Sequence, residues 1–76
     1  MTRIRRPLDL GNVIKDRRGE LGLTQAQLAD AALLTRQWVS GFENGRNTAS
    51  VKFTDLAAML DALDLELDVR PRGARG

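Results

Sequence analysis

The chain has 76 residues and a formal net charge of +2, and the 42% hydrophobic and 29% charged residues fit one globular domain. It contains no cysteine and no histidine, which excludes disulfides, thiol chemistry and histidine as a general base or metal ligand. No apolar run approaches the roughly 20 residues that span a bilayer, and the basic N-terminus has no apolar segment behind it, so we expect a cytoplasmic protein.

The charge is unevenly distributed along the chain. Residues 1–46 carry eight Lys/Arg and five Asp/Glu, whereas residues 47–76 carry four and five. A basic N-terminal part suits a phosphate backbone, and an acidic stretch over residues 55–68 does not. Ordinary solvated faces explain the same distribution about as well, so charge alone does not decide whether nucleic acid is a partner.

A basic N-terminal arm over residues 1–7 precedes the first predicted helix, over residues 8–21. The apolar residues of this helix recur at roughly helical spacing: Leu10, Val13, Ile14 and Leu21. We expect Gly22 to close the helix as the first residue beyond its C-cap.

Two short helices follow. Thr24 is a good N-cap, and Gln27 three residues later completes a capping box, so a second helix is predicted from Thr24 to about Ala32. Its inner face is predicted to consist of small or apolar residues: Leu28, Ala31 and Ala32. Thr35 caps the third predicted helix, over residues 36–44, on which Val39 and Phe42 share one face.

A fourth helix is predicted after the polar loop that begins at Arg46, with Ser50 as its cap. The residues Phe53, Leu56, Ala57, Leu60 and Leu63 form its predicted buried stripe. These four helices make up a predicted domain over residues 8–63.

Beyond Leu63 the period of the apolar residues changes from helical to two. Leu63, Leu65, Leu67 and Val69 alternate with Asp64, Glu66, Asp68 and Arg70, which predicts a strand over residues 64–70. Pro71 ends it, and residues 71–76 are predicted to be a disordered basic tail. A single strand needs a hydrogen-bonding partner, and a second copy paired antiparallel about a two-fold axis supplies one. The alternative is a frayed extension of the fourth helix.

Two short capped helices joined by a tight turn are the geometry of a helix-turn-helix, whose second helix lies in the DNA major groove. The segments GLTQAQLA (residues 22–29) and VSGFENGR (residues 39–46) together resemble the Xre/Cro-like family of repressors, over Leu8 to about Leu63. The resemblance implies a mainly α, lambda-repressor-like bundle of four to five helices. It also implies a sequence-specific DNA-binding repressor. Ser40 and Thr35 have no histidine or suitably placed lysine to activate them, and no carboxylate cluster has the spacing of a metal site, so we expect neither an enzyme nor a cofactor or metal.

The resemblance also implies roles for individual residues. Gln25 would touch phosphate and brace the recognition helix, and Arg36 and Gln37 would read base edges, as suits the preference of Arg for guanine and of Gln for adenine. Arg18 and Glu43 match a partly buried structural pair of the family. The full expected DNA-binding set is Thr24, Gln25, Thr35, Arg36, Gln37, Trp38, Ser40, Gly41, Asn44, Arg46 and Asn47.

Three residues depart from the simple pattern. Leu33 stands in the turn where the family usually has glycine, so a distorted turn or a residue at strained φ is expected. Gly41 reads no base itself, although it would let the backbone approach DNA. Trp38 either contacts a thymine methyl or sugar, or packs against the neighbouring loop or a dimer mate.

The helical unit followed by an alternating strand, LDALDLELDVRPR (residues 60–72), is similar to HipB-type antitoxins. That similarity implies a bacterial, nucleoid-associated homodimer that binds a palindromic operator, autorepresses its operon and binds a HipA-like kinase toxin. Its dimer strand would use Leu65, Leu67 and Val69. The alternatives are a free-standing or phage-type regulator without a toxin, and a protein-interaction module that uses this fold without binding DNA.

Overall fold

The computed structural model describes residues 3–73, and within them the chain is helical. The helices are α1 (Pro7–Glu20), α2 (Gln25–Ala32), α3 (Arg36–Glu43) and α4 (Phe53–Ala62), with one 3₁₀ turn (Thr48–Ser50) before α4. Of the arm predicted at 1–7 and the tail predicted at 71–76, residues 1, 2 and 74–76 lie outside the described residues. No helix within 3–73 is both long and apolar enough to cross a membrane.

The core lies between α2, α3 and α4 and is closed by α1, which packs on α3. Its largest fully buried side chains come from all four helices and from the residue after α4: Phe42, Ile14, Leu28, Met59, Leu63 and Val39. This arrangement confirms the mainly helical, helix-turn-helix fold expected from the sequence.

Side-chain N-caps begin α2 and α3 where the sequence predicted them. The Thr24 hydroxyl accepts a hydrogen bond from the Gln27 amide at 3.0 Å, and the Thr24 amide donates to the Gln27 side chain at 2.8 Å. The Thr35 hydroxyl accepts from the Trp38 amide at 3.1 Å. These bonds satisfy amides that have no partner in the first turn of a helix, so they fix where α2 and α3 begin.

All four α-helices end in the same hydrogen-bonded motif, with one residue in the left-handed conformation just beyond the helix. The left-handed residues are Gly22, Leu33, Gly45 and Asp64, with φ of 69°, 59°, 79° and 55°. The next amide then donates to the carbonyl five residues earlier in the chain: Leu23 to Arg18, Leu34 to Ala29, Arg46 to Gly41 and Leu65 to Leu60, at 2.8–3.0 Å. This pair of features is the Schellman motif, and it stops each helix sharply. The predicted role of Gly22 is confirmed.

Leu33 adopts this conformation without being glycine. It has φ 59° and ψ 40°, and 92% of its surface is exposed. The turn between α2 and α3 therefore has the usual hydrogen-bonded form. The lack of glycine at position 33 results in backbone strain and not in a distorted turn. A left-handed L-residue costs about 1–2 kcal/mol, and an exposed leucine gains little packing in return.

Gly11 marks the point where α1 crosses the end of α3. A Cβ atom built on Gly11 would lie 2.5 Å from the Phe42 carbonyl oxygen and 3.2 Å from that of Glu43. The two backbones can approach this closely only because residue 11 has no side chain. Sequence patterning gave no sign of this contact.

Some predicted faces and boundaries were wrong. In α2 the buried small residues are Ala29 and Ala32, while Ala31 is exposed, because the helix presents a slightly different face to α4. Leu21 lies beyond α1 and is 43% exposed. α1 already begins at Pro7, whose missing N–H is harmless in a first helical turn.

The stripe predicted for α4 is also partly wrong. Phe53 is 68% exposed, whereas Met59, which was not predicted, is fully buried. Ser50 does not cap α4, because it ends the 3₁₀ turn, and α4 begins three residues later after Lys52. Leu56, Leu60 and Leu63 are buried as predicted, and Ala57 is half-buried.

Residues 65–70 form neither helix nor strand within the described chain. A frayed extension of α4 is excluded, because α4 ends at Ala62 and Asp64 has a positive φ. Exposure rises along the alternating apolar residues, since Leu63 is buried, Leu67 is 53% exposed and Val69 is 85% exposed. Strand pairing with a second copy stays a prediction.

Replacement of Gly11 by alanine should destabilise the fold by about 1–3 kcal/mol, because the new Cβ forces α1 away from α3. Gly19, also in α1, is the matched control, since nothing lies within 4 Å of a Cβ placed there. Gly19→Ala should raise stability by about 0.5–1 kcal/mol through helix propensity alone. Urea unfolding followed by circular dichroism measures both. Equal effects of the two substitutions would contradict the close crossing.

Leu33→Gly should stabilise the fold by about 0.5–1 kcal/mol, since glycine removes the left-handed strain but loses more backbone entropy on folding. Leu33→Ala is the control, because alanine keeps a Cβ at the same φ and should give no gain. The thermal unfolding midpoints of the two variants, compared with that of the parent, measure these effects. A stabilised alanine variant would show that removal of an exposed apolar side chain, not φ, is responsible.

Candidate nucleic-acid interface

The third helix, α3, has one buried side and one exposed side. Val39, Phe42 and Glu43 are turned into the protein. Arg36 and Gln37, in the first turn, are exposed, and none of the side-chain hydrogen bonds found within residues 3–73 involves them. The first turn of α3 therefore presents a guanidinium and a carboxamide to whatever lies against this face.

A buried carboxylate holds α3 in place. Glu43 is the one charged residue that is buried in the described part of the chain, with 3% of its surface exposed. Arg18 of α1 binds it through two parallel hydrogen bonds, Nε to Oε2 at 2.7 Å and Nη2 to Oε1 at 2.9 Å. Such a two-point contact fixes the orientation of both groups as well as their distance.

The same network reaches α2. The Gln25 side-chain amide donates to Glu43 Oε1 at 3.1 Å, and the remaining Nη1 of Arg18 donates to the Leu23 carbonyl at 2.8 Å. The end of α3 is thus tied to α1 and to the start of α2. The pair Arg18 and Glu43 was implied by the family resemblance, whereas the bond from Gln25 to Glu43 was not anticipated.

Two opposing effects act on the Glu43 carboxyl. Burial raises its pKa, but hydrogen bonds from Arg18 and Gln25 and the positive charge of Arg18 and Lys15 outweigh burial and bring the pKa below its usual range. The hydrogen bond to Glu43 raises the pKa of Arg18. Both groups are therefore charged at neutral pH, as a short two-point ion pair requires.

The residues expected to contact DNA at the starts of α2 and α3 form hydrogen bonds within the protein. Thr24 and Thr35 are exposed and use their hydroxyls as N-caps. Gln25 is half-buried, and its amide nitrogen is directed to Glu43. The structure therefore places Gln25 as a brace between α2 and α3, which is one of the two roles expected for it.

Trp38 lies in the first turn of α3 and is half-buried. Its ring stacks on that of Phe42, with centroids 5.3 Å apart and an interplanar angle of 16°. Its carbonyl accepts a 3.4 Å hydrogen bond from the Asn47 side chain in the following loop. The structure shows the Trp38 ring packed against Phe42, and a contact of this ring with DNA stays a prediction.

The end of α3 is joined to the loop that follows it. Asn44 caps the helix, and its side-chain amide donates to the Ser40 carbonyl at 3.0 Å. Gly41 is half-buried, and a Cβ there would lie 3.7 Å from the Asn47 side chain, so this position faces the loop. Arg46 is exposed, and its amide donates to the Gly41 carbonyl.

The expected set therefore divides in two. Arg36, Gln37 and Arg46 are exposed, and their side chains make none of the side-chain hydrogen bonds found within residues 3–73. Two of them lie at the start of α3 and one just after its end, roughly 12–15 Å away along the helix. The other members cap, brace or pack: Thr24, Gln25, Thr35, Trp38, Ser40, Gly41, Asn44 and Asn47. This surface can offer bidentate hydrogen bonds at one end and a positive charge at the other.

A helix-turn-helix domain family matches residues 9–72 of this chain. The ImmF control region 10 kDa protein of Bacillus phage phi105 is 41% identical over 58 residues, which are 76% of this chain. The match spans 64% of that phage protein, so it covers less than two thirds of the relative.

Solved structures share the fold over most of the chain. The restriction-modification controller protein C.AhdI from Aeromonas hydrophila has a TM-score of 0.72 at 30% identity, covering 78% of this chain and 83% of its own. A chain of a HipA–HipB–O2–O3 complex has a TM-score of 0.82 at 28% identity, covering 95% and 99%. The chain in a HipB–O4 20mer complex gives the same values.

Glu43→Gln should lower the free energy of unfolding at pH 7 by roughly 3 kcal/mol, because it leaves the Arg18 charge without its counter-ion. The pKa of Glu43 is lower in the folded protein than its ordinary 4.5, so its contribution is present above that pH and is lost as the pH falls through the folded pKa. The parent should therefore lose stability on acidification more steeply than the variant.

Urea unfolding at pH 7 and pH 3 measures this difference. Glu20→Gln is the control, because Glu20 belongs to an exposed ion pair with Arg17 at 3.3 Å and should change little at either pH. Asp9, whose pKa is also lowered, titrates in all three proteins and so cancels from the comparison. A parent and a Glu43→Gln variant with the same pH dependence would refute the assigned role of Glu43.

Proposed function

Because this chain belongs to the helix-turn-helix family of Xre-type DNA-binding regulators, we propose that it is a sequence-specific transcriptional repressor that binds a palindromic operator as a homodimer. The observation that carries the proposal is the division of α3 into an anchored last turn and an exposed first turn. Glu43 fixes the last turn of the helix, and Arg36 and Gln37 are exposed in the first turn. A helix held in this way can enter a major groove in one orientation.

The reading residues have the chemistry that base recognition needs. An arginine side chain can donate two hydrogen bonds to O6 and N7 of guanine, and a glutamine can pair with N6 and N7 of adenine. Both side chains are exposed at the end of α3 that enters the groove in this motif. Ser40 lies one turn further along from Arg36 and would face the groove wall.

Arg46 is proposed to bind the phosphate backbone beside the reading helix. It is exposed in the loop after α3, and its backbone is fixed by the bond to Gly41. Contacts of this kind set the position and orientation of the protein on DNA but carry no sequence information. Asn44 and Asn47 line the same loop, while Thr24 and Gln25 would flank the groove from the start of α2.

As a finer proposal, the repressor is the antitoxin of a HipBA-like system and binds a HipA-like kinase toxin. What supports it is the fold similarity to a chain of the HipA–HipB–O2–O3 complex, which covers 95% of this chain and so includes most of the segment after α4. The toxin would meet the acidic part of the chain, away from the basic reading face.

A second candidate is a free-standing, phage-type regulator without a toxin. The specific observation in its favour is the 41% identity with the phage phi105 control-region protein. A kinase-like protein that co-purifies with this chain from its host distinguishes the antitoxin from this alternative. A module without DNA binding is the third candidate, and the exposed Arg36 and Gln37 argue against it.

The homodimer is proposed on the segment after α4. Leu67 and Val69 are exposed apolar residues that alternate with charged ones, and no ladder within residues 3–73 uses their backbone. A second copy would cover these side chains and satisfy the backbone. A dimer would place two α3 helices on two half-sites of an operator, about one helical turn apart.

Two arginine variants form a matched test on an operator fragment. Arg36→Ala should weaken binding to the operator by about 1–3 kcal/mol and relax the preference at one base pair. Arg46→Ala should weaken binding to all sequences about equally and reduce the salt dependence of binding, because one phosphate contact is lost. Affinities measured at several salt concentrations, on operator and scrambled DNA, separate the two. If both variants bind like the parent, the reading face is wrongly assigned.

A further inference from the structure

The charged residues beyond α4 change sign once, in the middle of the segment. The residues at positions 64, 66 and 68 are acidic, and those at positions 70 and 72 are basic. Arg70 Nε lies 2.7 Å from Asp68 Oδ2, so the side chains at the point of reversal lie on the same side of the backbone. Residues 65, 67, 69 and 71, between them, are three aliphatic residues and a proline.

An open groove runs beside this segment. It has a volume of about 1140 Å³ and is bounded by residues of the N-terminal arm, α1 and α4 as well as by residues 65–73. Its apolar lining includes Ile4, Leu10, Val13 and Leu60, and Ile4 is 45% exposed. The exposed Leu67 and Val69 stand at the rim of an apolar surface that the single chain leaves uncovered.

We propose that a second copy of residues 66–72 occupies this surface, antiparallel to the first and in one register, with the two-fold axis at Val69. This inference rests on the proposed homodimer and adds the contacts that define it. In this register Asp68 faces the partner's Arg70, and Glu66 faces the partner's Arg72. By symmetry the dimer contains four such pairs, and every charge within the paired segment faces its opposite.

Each neighbouring register that keeps charged residues opposite charged residues contains at least one like-charge pair. With the axis at residue 68, Glu66 faces the partner's Arg70 and Asp64 faces the partner's Arg72, but Asp68 faces the partner's Asp68 on the axis. With the axis at 67, Glu66 faces the partner's Asp68, and with the axis at 70 two arginines meet. Like charges directly opposite each other destabilise a strand pair, whereas opposite charges stabilise it. A shift of one strand by a single residue would place apolar residues opposite charged ones. The alternation of apolar and charged residues excludes such registers.

Proline fits the same register. With the axis at Val69, Leu67 faces the partner's Pro71, and the odd-numbered residues can all occupy non-hydrogen-bonded pairs of the ladder. Pro71 has no N–H, and in such a pair none is needed. The even-numbered residues, which carry the charges, then supply the hydrogen bonds between the strands. Val69 meets the partner's Val69 on the axis, where its exposed side chain becomes covered.

Single cysteines test the register in the full chain, which contains no native cysteine. Val69→Cys should form an intermolecular disulfide on mild oxidation, because directly opposite Cβ atoms in a non-hydrogen-bonded pair lie close enough to bridge. Leu67→Cys is the matched control, since its two copies would be roughly 13 Å apart along the strands. Mass spectrometry without reductant counts the covalent dimers, and light scattering gives the mass before oxidation.

The possible outcomes test the register and the existence of the dimer separately. Cross-linking of Val69→Cys well above that of Leu67→Cys supports the inference. A covalent dimer from Leu67→Cys but not from Val69→Cys overturns the register, as does a dimeric mass with no cross-link from either variant, and the proposed dimer survives both results. A monomeric mass for the parent overturns the proposed dimer and the inference together.

Charge reversal gives an independent test. Asp68→Lys and Arg70→Glu should each raise the dissociation constant of the dimer about tenfold, because each turns two attractive cross-strand pairs into repulsive ones. An equimolar mixture of the two variants should recover the parental constant, since Lys then faces Glu and Arg faces Asp in the heterodimer. A loss that mixing does not repair contradicts the axis at Val69.

Discussion

The structure depends on one buried carboxylate. Glu43 ends α3 inside the protein, and its two oxygens accept hydrogen bonds from Arg18 on α1 and Gln25 on α2. Three successive helices are thereby fixed relative to one another at a single point. An ion pair with this much burial contributes little by itself to net stability, but removing one partner is expensive, so it acts mainly to specify one arrangement. The arrangement specified is the orientation of the exposed first turn of α3.

A domain of this size has only a small hydrophobic core, so the hydrogen-bonded turns between its helices also determine where the helices lie. Four Schellman motifs stop the helices, and two of them use Leu33 and Asp64 where glycine would be free of strain. The motif at Asp64 has a second consequence. Because it ends α4 sharply, the alternating residues beyond it leave the core, and their apolar side chains become increasingly exposed. The surface available to a second copy therefore arises from how α4 ends.

Binding and architecture are divided among neighbouring residues. Thr24, Thr35 and Gln25 belong to the set that the family resemblance assigned to DNA, yet in this structure each makes a hydrogen bond that builds the fold. The side chains of Arg36, Gln37 and Arg46 make none of the side-chain hydrogen bonds found within residues 3–73 and stay exposed. A regulator built this way can change its exposed side chains, and so its preferred sequence, without disturbing the parts that orient the helix.

The sequence by itself determined the features that depend on short-range hydrogen bonds and spacing. These are the caps at Thr24 and Thr35, the stop at Gly22, the helix-turn-helix and the change of period after Leu63. Only the tertiary structure decided that Gly11 allows α1 and α3 to cross closely, that Met59 rather than Phe53 is buried in α4, and what Gln25 holds. Gly11 meets Phe42, and Gln25 meets Glu43, across 31 and 18 positions of the chain. No local pattern encodes such contacts, because they exist only once the helices have packed.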